Sequence, residues 1–403
     1  MTALCCFASC DLRAEPRPLL LVGQDRVEAA LVRSTAEGML HFQLKDGQQQ
    51  VPLEQLVRWS APRVRGGKRK VILVDGSHLV LADSWIGEPA VRLEAEAVRV
   101  TTNLLGTVAL SRDQVRAVLL HAPADVLQRT QALDEILAPQ ASDRMMMVSG
   151  DIHTGRCQDI GSTIQFATSP STKPLELPFN GSVAAIAIGR PGGQPPPPPG
   201  KMVVGLRDGT LLVAESLVAS AESLQLRLAC GLELSGAGVR IVDSVRSQVA
   251  KVRYLSDQVE TAYRHVAYLE IPWPARRDLN VLGGPLTAGD RTYSKGLGMH
   301  TASRLTYDLP IPLQNAPPEF LRFRAQIALD DAAAKGGSVE FRVYLQDAGT
   351  WQLAYSSAVV RGGEAPQAVS VELGGAQQIA MVADYADQGD ERDYANWLDA
   401  RLE

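Results

Sequence analysis

The chain has 403 residues, 45% of them apolar, enough for two or three domains with sizeable cores. Its 40 Lys and Arg against 45 Asp and Glu leave a net charge of −5, which argues against the broad basic surface that nucleic acid requires. No run approaches the roughly 18 consecutive apolar residues of a membrane-spanning helix.

The chain opens with MTALCCFASCDLRAEP, a short apolar run with small residues before Cys10 and no basic residue ahead of it. Residues 1–18 are expected to be a weak or truncated export signal, with FASC resembling a lipoprotein box, or a disordered tail. Export would make the protein secreted, periplasmic or cell-surface. Cys5, Cys6 and Cys10 lie in this stretch, and Cys157 and Cys230 are far apart with no C-x-x-C pair, so neither a disulfide framework nor a zinc site is expected.

The next 230 or so residues repeat a pattern. VILVDGSHLVLADSWIG (71–87) and VVGLRDGTLLVAESLVA (203–219) each run from one apolar stretch through Asp-Gly into another, a hairpin signal because both turn positions tolerate positive φ. Four β-rich units are expected, starting near residues 20, 70, 144 and 201, each a small, strongly bent barrel of the SH3 or Sm-like sort. Two of them fill 19–122, a third spans 139–190 and the fourth 201–250. The basic run RVRGGKRK (63–70) contains Gly-Gly and precedes a strand, so a solvated loop is expected rather than a nucleic-acid patch. PADVLQRTQALDEILA (123–138) has helical spacing of apolar residues and predicts one connecting helix. VSGDIHTG (148–155) superficially matches an Asp-x-His metal box, but the chain has only six His, and a hairpin explains it better. Five consecutive prolines mark 191–200 as a linker, and IPWPARRDLN (271–280) is a second break.

From 272 to 403 the strands alternate cleanly. In SVEFRVYL, Val339, Phe341, Val343 and Leu345 share one face and Glu340, Arg342 and Tyr344 the other. Several such runs with polar turns spell a β-sandwich. The stretch YSKGLGMHTASRLTYDL (293–309) sets His300 after Gly296 and Gly298. No helix follows to cradle a phosphate, no G-x-S-x-G occurs, and the glycines are expected to let the chain turn into the first strand.

GLGMHTASRLTYDL (296–309), LRFRAQIALDD (321–331), GSVEFRVYLQD (337–347) and DYANWLDARL (393–402) together resemble the NPCBM/NEW2 family of carbohydrate-binding modules. The resemblance covers about the last 130 residues and not the repeats. It implies a galactose-binding-like jelly-roll sandwich, non-catalytic, often appended to secreted bacterial glycoside hydrolases, with some members resembling calcium-binding sandwiches. Thr301 replaces the family's usual alanine after the histidine, and QDAGTWQ (346–352) replaces a shorter turn.

The expected fold is therefore all-β, with SH3/Sm-like β-barrel repeats followed by a jelly-roll β-sandwich. The expected function is non-catalytic carbohydrate binding by the sandwich, the repeats serving as scaffold. A protein-interaction role in the cell envelope and an accessory part of a glycoside hydrolase are the alternatives. Sugars stack on aromatic rings and bond to nearby polar groups, so Trp351, Tyr355, His300 and Tyr293 are the candidate carbohydrate-binding residues, with Tyr385 and Tyr394 as further aromatic candidates and a structural hydrogen-bonding role as the favoured alternative for His300. Trp351 is favoured because it is expected on a loop; Trp397, on the last strand, is expected in the core. Asp384, Asp387, Asp390 and Asp393 recur every three residues in a Gly-containing loop and could hold calcium, or could simply be turn residues. Asp330 and Asp331 are adjacent, so they point to opposite sides and are not expected to form a hydrolase pair.

Overall fold

The computed structural model describes residues 15–63, 68–83, 89–94, 96–121, 126–169, 171, 173–179, 181–191, 198–267, 271–310, 320–387 and 389–403. Nearly all of the expected export signal and the centre of the polyproline run lie outside the described residues. The chain divides into two compact units. One holds the chain to Ser60 with Lys68–Leu120 and Pro139–Ala250; the other holds Ala61–Gly67, His121–Ala138 and Lys251–Glu403. The connecting helix is present as Val126–Leu137 and belongs to the second unit. No helix among the described residues is long and apolar enough to cross a membrane.

The first unit is four copies of one five-stranded motif. In the first copy the strands are Arg17–Leu21, Val27–Ser34, Met39–Leu44, Gly47–Pro52 and Leu56–Trp59, with a 3-10 turn Leu53–Gln55 before the last. They pair antiparallel in the order fifth, first, second, third, fourth. The fourth copy repeats this with Met202–Leu206, Leu211–Ala219, Leu224–Leu228, Glu233–Gly236 and Val242–Ser247. The second copy (70–119) splits its second strand into His78–Val80 and Val91–Glu94. The third (143–187) has the same order, and its hairpin joins Asp143–Met147 to Ile152–Ile160, which is where the Asp-x-His stretch falls. The strands form because their alternation matches the pleat: Leu224, Leu226 and Leu228 are buried while Gln225 and Arg227 are exposed.

Fifth strands join the copies in pairs. Val245 lies opposite Trp59, joining the fourth copy to the first, and Val118 lies opposite Ile186, joining the second to the third. A buried ion pair spans each junction, Arg17 with Asp243 and Arg112 with Asp143. The two Asp-Gly hairpins also knit the second copy to the fourth. Val213 N–H donates to Ser77 Oγ at 2.9 Å, and Val80 N–H donates to Thr210 Oγ1 at 3.1 Å. In these turns only Gly76 and Gly209 take positive φ (87° and 97°). The preceding aspartates instead cap the turns, Asp75 accepting from Ser77 N–H and Asp208 from Thr210 N–H.

The second unit is a two-sheet sandwich. One sheet runs Arg276–Arg277, Gly296–Met299, Ala395–Leu402, Arg322–Leu329, Gln367–Glu372. The other runs Ala262–His265, Ser303–Asp308, Gln378–Tyr385, Ser338–Asp347, Thr350–Ser356. Phe323, Ile327, Val339, Phe341, Met381 and Trp397 fill the space between them. The sandwich begins at about Lys251, earlier than the expected 272. Arg253–Tyr254 adds to the Ala395–Leu402 strand and Ala262–His265 to the Ser303–Asp308 strand, so the Pro-rich break at 271–280 lies inside the sandwich and contains its edge strand Arg276–Arg277.

Candidate functional site

The turn between Met299 and Ser303 carries the chain from one sheet to the other at one end of the sandwich. Gly296 and Gly298 lie in the strand before it, where neighbouring backbone comes too close for a side chain. A Cβ on Gly298 would sit 2.4 Å from Leu279 O, and one on Gly296 2.5 Å from Trp397 O. Their role is close approach rather than the expected turning of the chain.

His300, at the strand's end, is buried (3% exposed), and its imidazole is stacked against Trp273, centroids 4.7 Å apart and planes 7° from parallel. Tyr394 closes the cluster, 6.0 Å from His300 and 6.4 Å from Trp273. Trp273 and Tyr394 are both half-buried, so each keeps part of its ring in solvent. The segment bearing Trp273 is tied down: its N–H donates to His265 Nδ1 at 3.3 Å, and Tyr263 Oη donates to its carbonyl. Because His265 Nδ1 accepts, its proton sits on Nε2, 3.1 Å from Thr301 O, which also accepts from His300 Nδ1 at 3.0 Å. Beneath them, Thr301 Oγ1 donates to Asp393 Oδ2 at 2.7 Å, and Ser338 N–H donates to Asp393 Oδ1 at 2.8 Å.

Burial governs the charges here. It pushes the His300 imidazole below its ordinary range despite the bond to Thr301 and the nearby Asp390, so His300 is neutral at neutral pH. It also raises the Asp393 carboxyl to about 6, against the pull of its two donors. The rim thus offers two half-exposed aromatic faces backed by a neutral, fixed imidazole.

The structure scatters the residues chosen from sequence. His300 is in the cluster. Tyr293 is buried among Leu286, Ala288, Ala328 and Leu398 and presents no exposed face, contrary to expectation. Trp351 and Tyr355 are on a strand, Thr350–Ser356, and not on a loop. A bulge at Ala354 shifts the register so that Tyr355 lies opposite Val343 and Trp351 opposite Gln346. Tyr355 therefore packs on the core and Trp351 faces outward, on opposite sides of the sheet. Ser338, bonded to Asp393, and Gln346, beside Trp351, are eight residues apart on one strand, or roughly 26 Å at ~3.3 Å per residue. Trp351 is thus at the far end of the sheet from His300.

The loop aspartates do not converge on a cation. Asp384 pairs with Arg342 at 2.6 Å and Asp387 with Arg361 at 2.5 Å, which holds the Asp387 carboxyl down to about 2. Asp393 is turned inward to Thr301 and Ser338, leaving Asp390 alone near the rim. Among the described residues no group of three or more His, Cys, Asp or Glu is placed to hold a metal ion. Asp330 is buried and accepts from Asn280 Nδ2 at 3.1 Å, Asn396 Nδ2 at 2.8 Å and Thr287 N–H at 2.9 Å, which makes it a structural anchor. Sequence reasoning missed Trp273 and His265. The one available signal was a tryptophan flanked by two prolines, an unusual place for a core residue.

Residues 251–403 match the model of the NPCBM/NEW2 domain. Over 126 residues the chain is 33% identical to an alpha-1,3-galactosidase B of Akkermansia muciniphila, covering 31% of this chain and 15% of that protein. Over 120 residues it is 30% identical to a protein of Renibacterium salmoninarum named as an endo-alpha-N-acetylgalactosaminidase, covering 30% of this chain and 7% of that protein. The chain thus spans a small part of the curated relatives it matches. Among solved structures it is similar to a CBM51 module from a Clostridium perfringens GH95 protein in complex with methyl-galactose, at 20% identity and a TM-score of 0.32, covering 38% of this chain and 99% of that one.

Proposed function

We propose that the C-terminal sandwich binds a carbohydrate at the rim built from Trp273, Tyr394, His265 and His300, and that the chain works as a non-catalytic binding protein outside the cell. The observation that carries this reading is the stack of half-exposed Trp273 on buried His300 beside Tyr394. An indole held by a buried ring needs no ordering when a pyranose face settles on it, which lowers the entropic penalty of binding. Asp390 supplies a polar group near the same rim. The match to a carbohydrate-binding family supports the reading, and the names of the curated relatives make galactose-type sugars the first ligands to test. Among the described residues no nucleophile with a base and an orienting partner is present at the rim, and Asp330 and Asp331 are taken up by backbone and amide donors. The repeats then act as a scaffold that presents the sandwich.

A protein partner is the second reading. Leu353 is 55% exposed on the outer face that also carries Trp351. A glycan array probed with the full chain separates the two. Binding to glycans that Trp273→Ala abolishes and Trp351→Ala leaves intact supports the rim site. An empty array contradicts it, and hydrolysis of any arrayed glycan contradicts the non-catalytic role.

A further inference from the structure

The N-terminal unit holds a cleft of about 420 Å³ where its second and third repeats meet, lined by Glu96, Arg112, Asp113, Arg156, Gly189 and Arg190. That volume is in the range of small-ligand sites and exceeds a monosaccharide. Its floor is rigid. Arg112 is 7% exposed, its charge is met by Asp143, and its Nη1 donates to Cys157 O at 3.0 Å. Asp143 in turn accepts from Cys157 N–H at 2.7 Å and Gly189 N–H at 2.8 Å.

The rim is not balanced in the same way. Arg156 meets Glu96 at 3.2 Å, but both side chains are mostly exposed, so the pair contributes little. Arg190 donates to the main-chain oxygen of Asp113 and not to a carboxylate. Its Nε is buried and makes no hydrogen bond within the described residues. Arg116 lies close by: burial first, and then the positive charge of Arg190, push the Arg116 guanidinium below its ordinary value. Of the three guanidinium groups that line the cleft, Arg112 and Arg156 have carboxylate partners in Asp143 and Glu96, and Arg190 has none among the described residues.

We propose that this cleft binds an oxyanion-bearing ligand of monosaccharide size, a carboxylate or a sulfate monoester, held by Arg190 and Arg156 over the Arg112–Asp143 floor. An oxyanion supplies the anionic partner that the Arg190 guanidinium lacks, offsets the repulsion between Arg190 and Arg116, and suits the planar fork of a guanidinium. A neutral sugar does neither of the first two. The site is independent of the sandwich rim, and it would give the repeats a binding role of their own.

The test is calorimetric titration of the full chain at low salt with glucuronate, with galactose 6-sulfate and with neutral glucose. The cleft predicts saturable binding of one of the two anions, which identifies the oxyanion, and none of glucose. Arg190→Ala weakens that binding by about tenfold or more, Arg190→Lys by less, and galactose binding at the rim is unchanged by either. The proposal is overturned if neither anion binds below about 10 mM, or if Arg190→Ala with unchanged melting binds both as the wild type does. Loss of galactose binding alone would count against the rim site and leave the cleft standing.

Discussion

Replacing Trp397 tests the packing of the sandwich. Trp397 is fully buried, edge-on to Phe341 at 5.2 Å and 83°, and 6.1 Å from Phe323. A tryptophan of this kind takes roughly 200 Å² out of water, which at ~25 cal/mol per Å² corresponds to about 5 kcal/mol. Part of that is offset in the native protein, because Trp397 Nε1 is buried without a hydrogen-bond partner among the described residues, a penalty of about 1–3 kcal/mol. Trp397→Ala should therefore destabilise the C-terminal unit by about 2–4 kcal/mol, overlapping the range found for large core aromatics. Trp397→Phe, which removes the orphaned N–H along with some of the bulk, should lose less than half of that. In urea melts of the full chain, an m-value of about 2 kcal/mol per M converts the alanine effect to a midpoint shift of roughly 1–2 M in the C-terminal transition. A shift below about 0.3 M, or an alanine variant no worse than the phenylalanine one, would refute the packing argument.

Gly298→Ala should destabilise the same unit although it adds only one carbon, because its Cβ would lie 2.4 Å from Leu279 O and 2.6 Å from Asn280 C; a melting temperature within a degree or so of wild type would contradict the close approach. Two buried titrating groups at the rim act in opposite directions with pH. Asp393, raised to about 6, binds its proton more tightly folded than unfolded, so its contribution is present at about pH 4 and lost as pH rises through 6. His300, lowered by burial, binds its proton more weakly folded, so its contribution is lost as pH falls below the ordinary histidine value. Melting curves of Asp393→Asn should lack the first trend and those of His300→Gln the second. Chelator in excess should leave the melting temperature of the sandwich unchanged, since Asp384 and Asp387 are already held by arginines; a clear drop would reveal a bound metal.

Much of the fold was legible because it depends on local periodicity. Leu224, Leu226 and Leu228 alternate with polar residues, and the Asp-Gly pairs at 75–76 and 208–209 mark hairpins whatever surrounds them. The site was less legible because it is made across sequence distance. Trp273 and His300 meet only because the Ala262–His265 strand pairs with Ser303–Asp308, which turns a loop that reads as a domain boundary into the wall of the rim. The sides taken by Trp351 and Tyr355 depend on one bulged residue, Ala354, which no periodicity announces. The aspartates at 384 and 387 form a regular series in the sequence, but their partners, Arg342 and Arg361, come from other strands. Nothing in the spacing of the acids could show that they were already occupied.

The central claim is that Trp273, backed by His300, is the sugar-contacting residue. Its most direct test is the affinity of the full chain for galactose-terminated glycans, measured for the wild type, Trp273→Ala and Trp351→Ala at matched thermal stability. The account predicts that Trp273→Ala loses about tenfold or more in affinity, at least ~1.4 kcal/mol, while Trp351→Ala binds as the wild type does. A folded Trp273→Ala protein that binds with wild-type affinity, or a Trp351→Ala protein that does not bind, would contradict it.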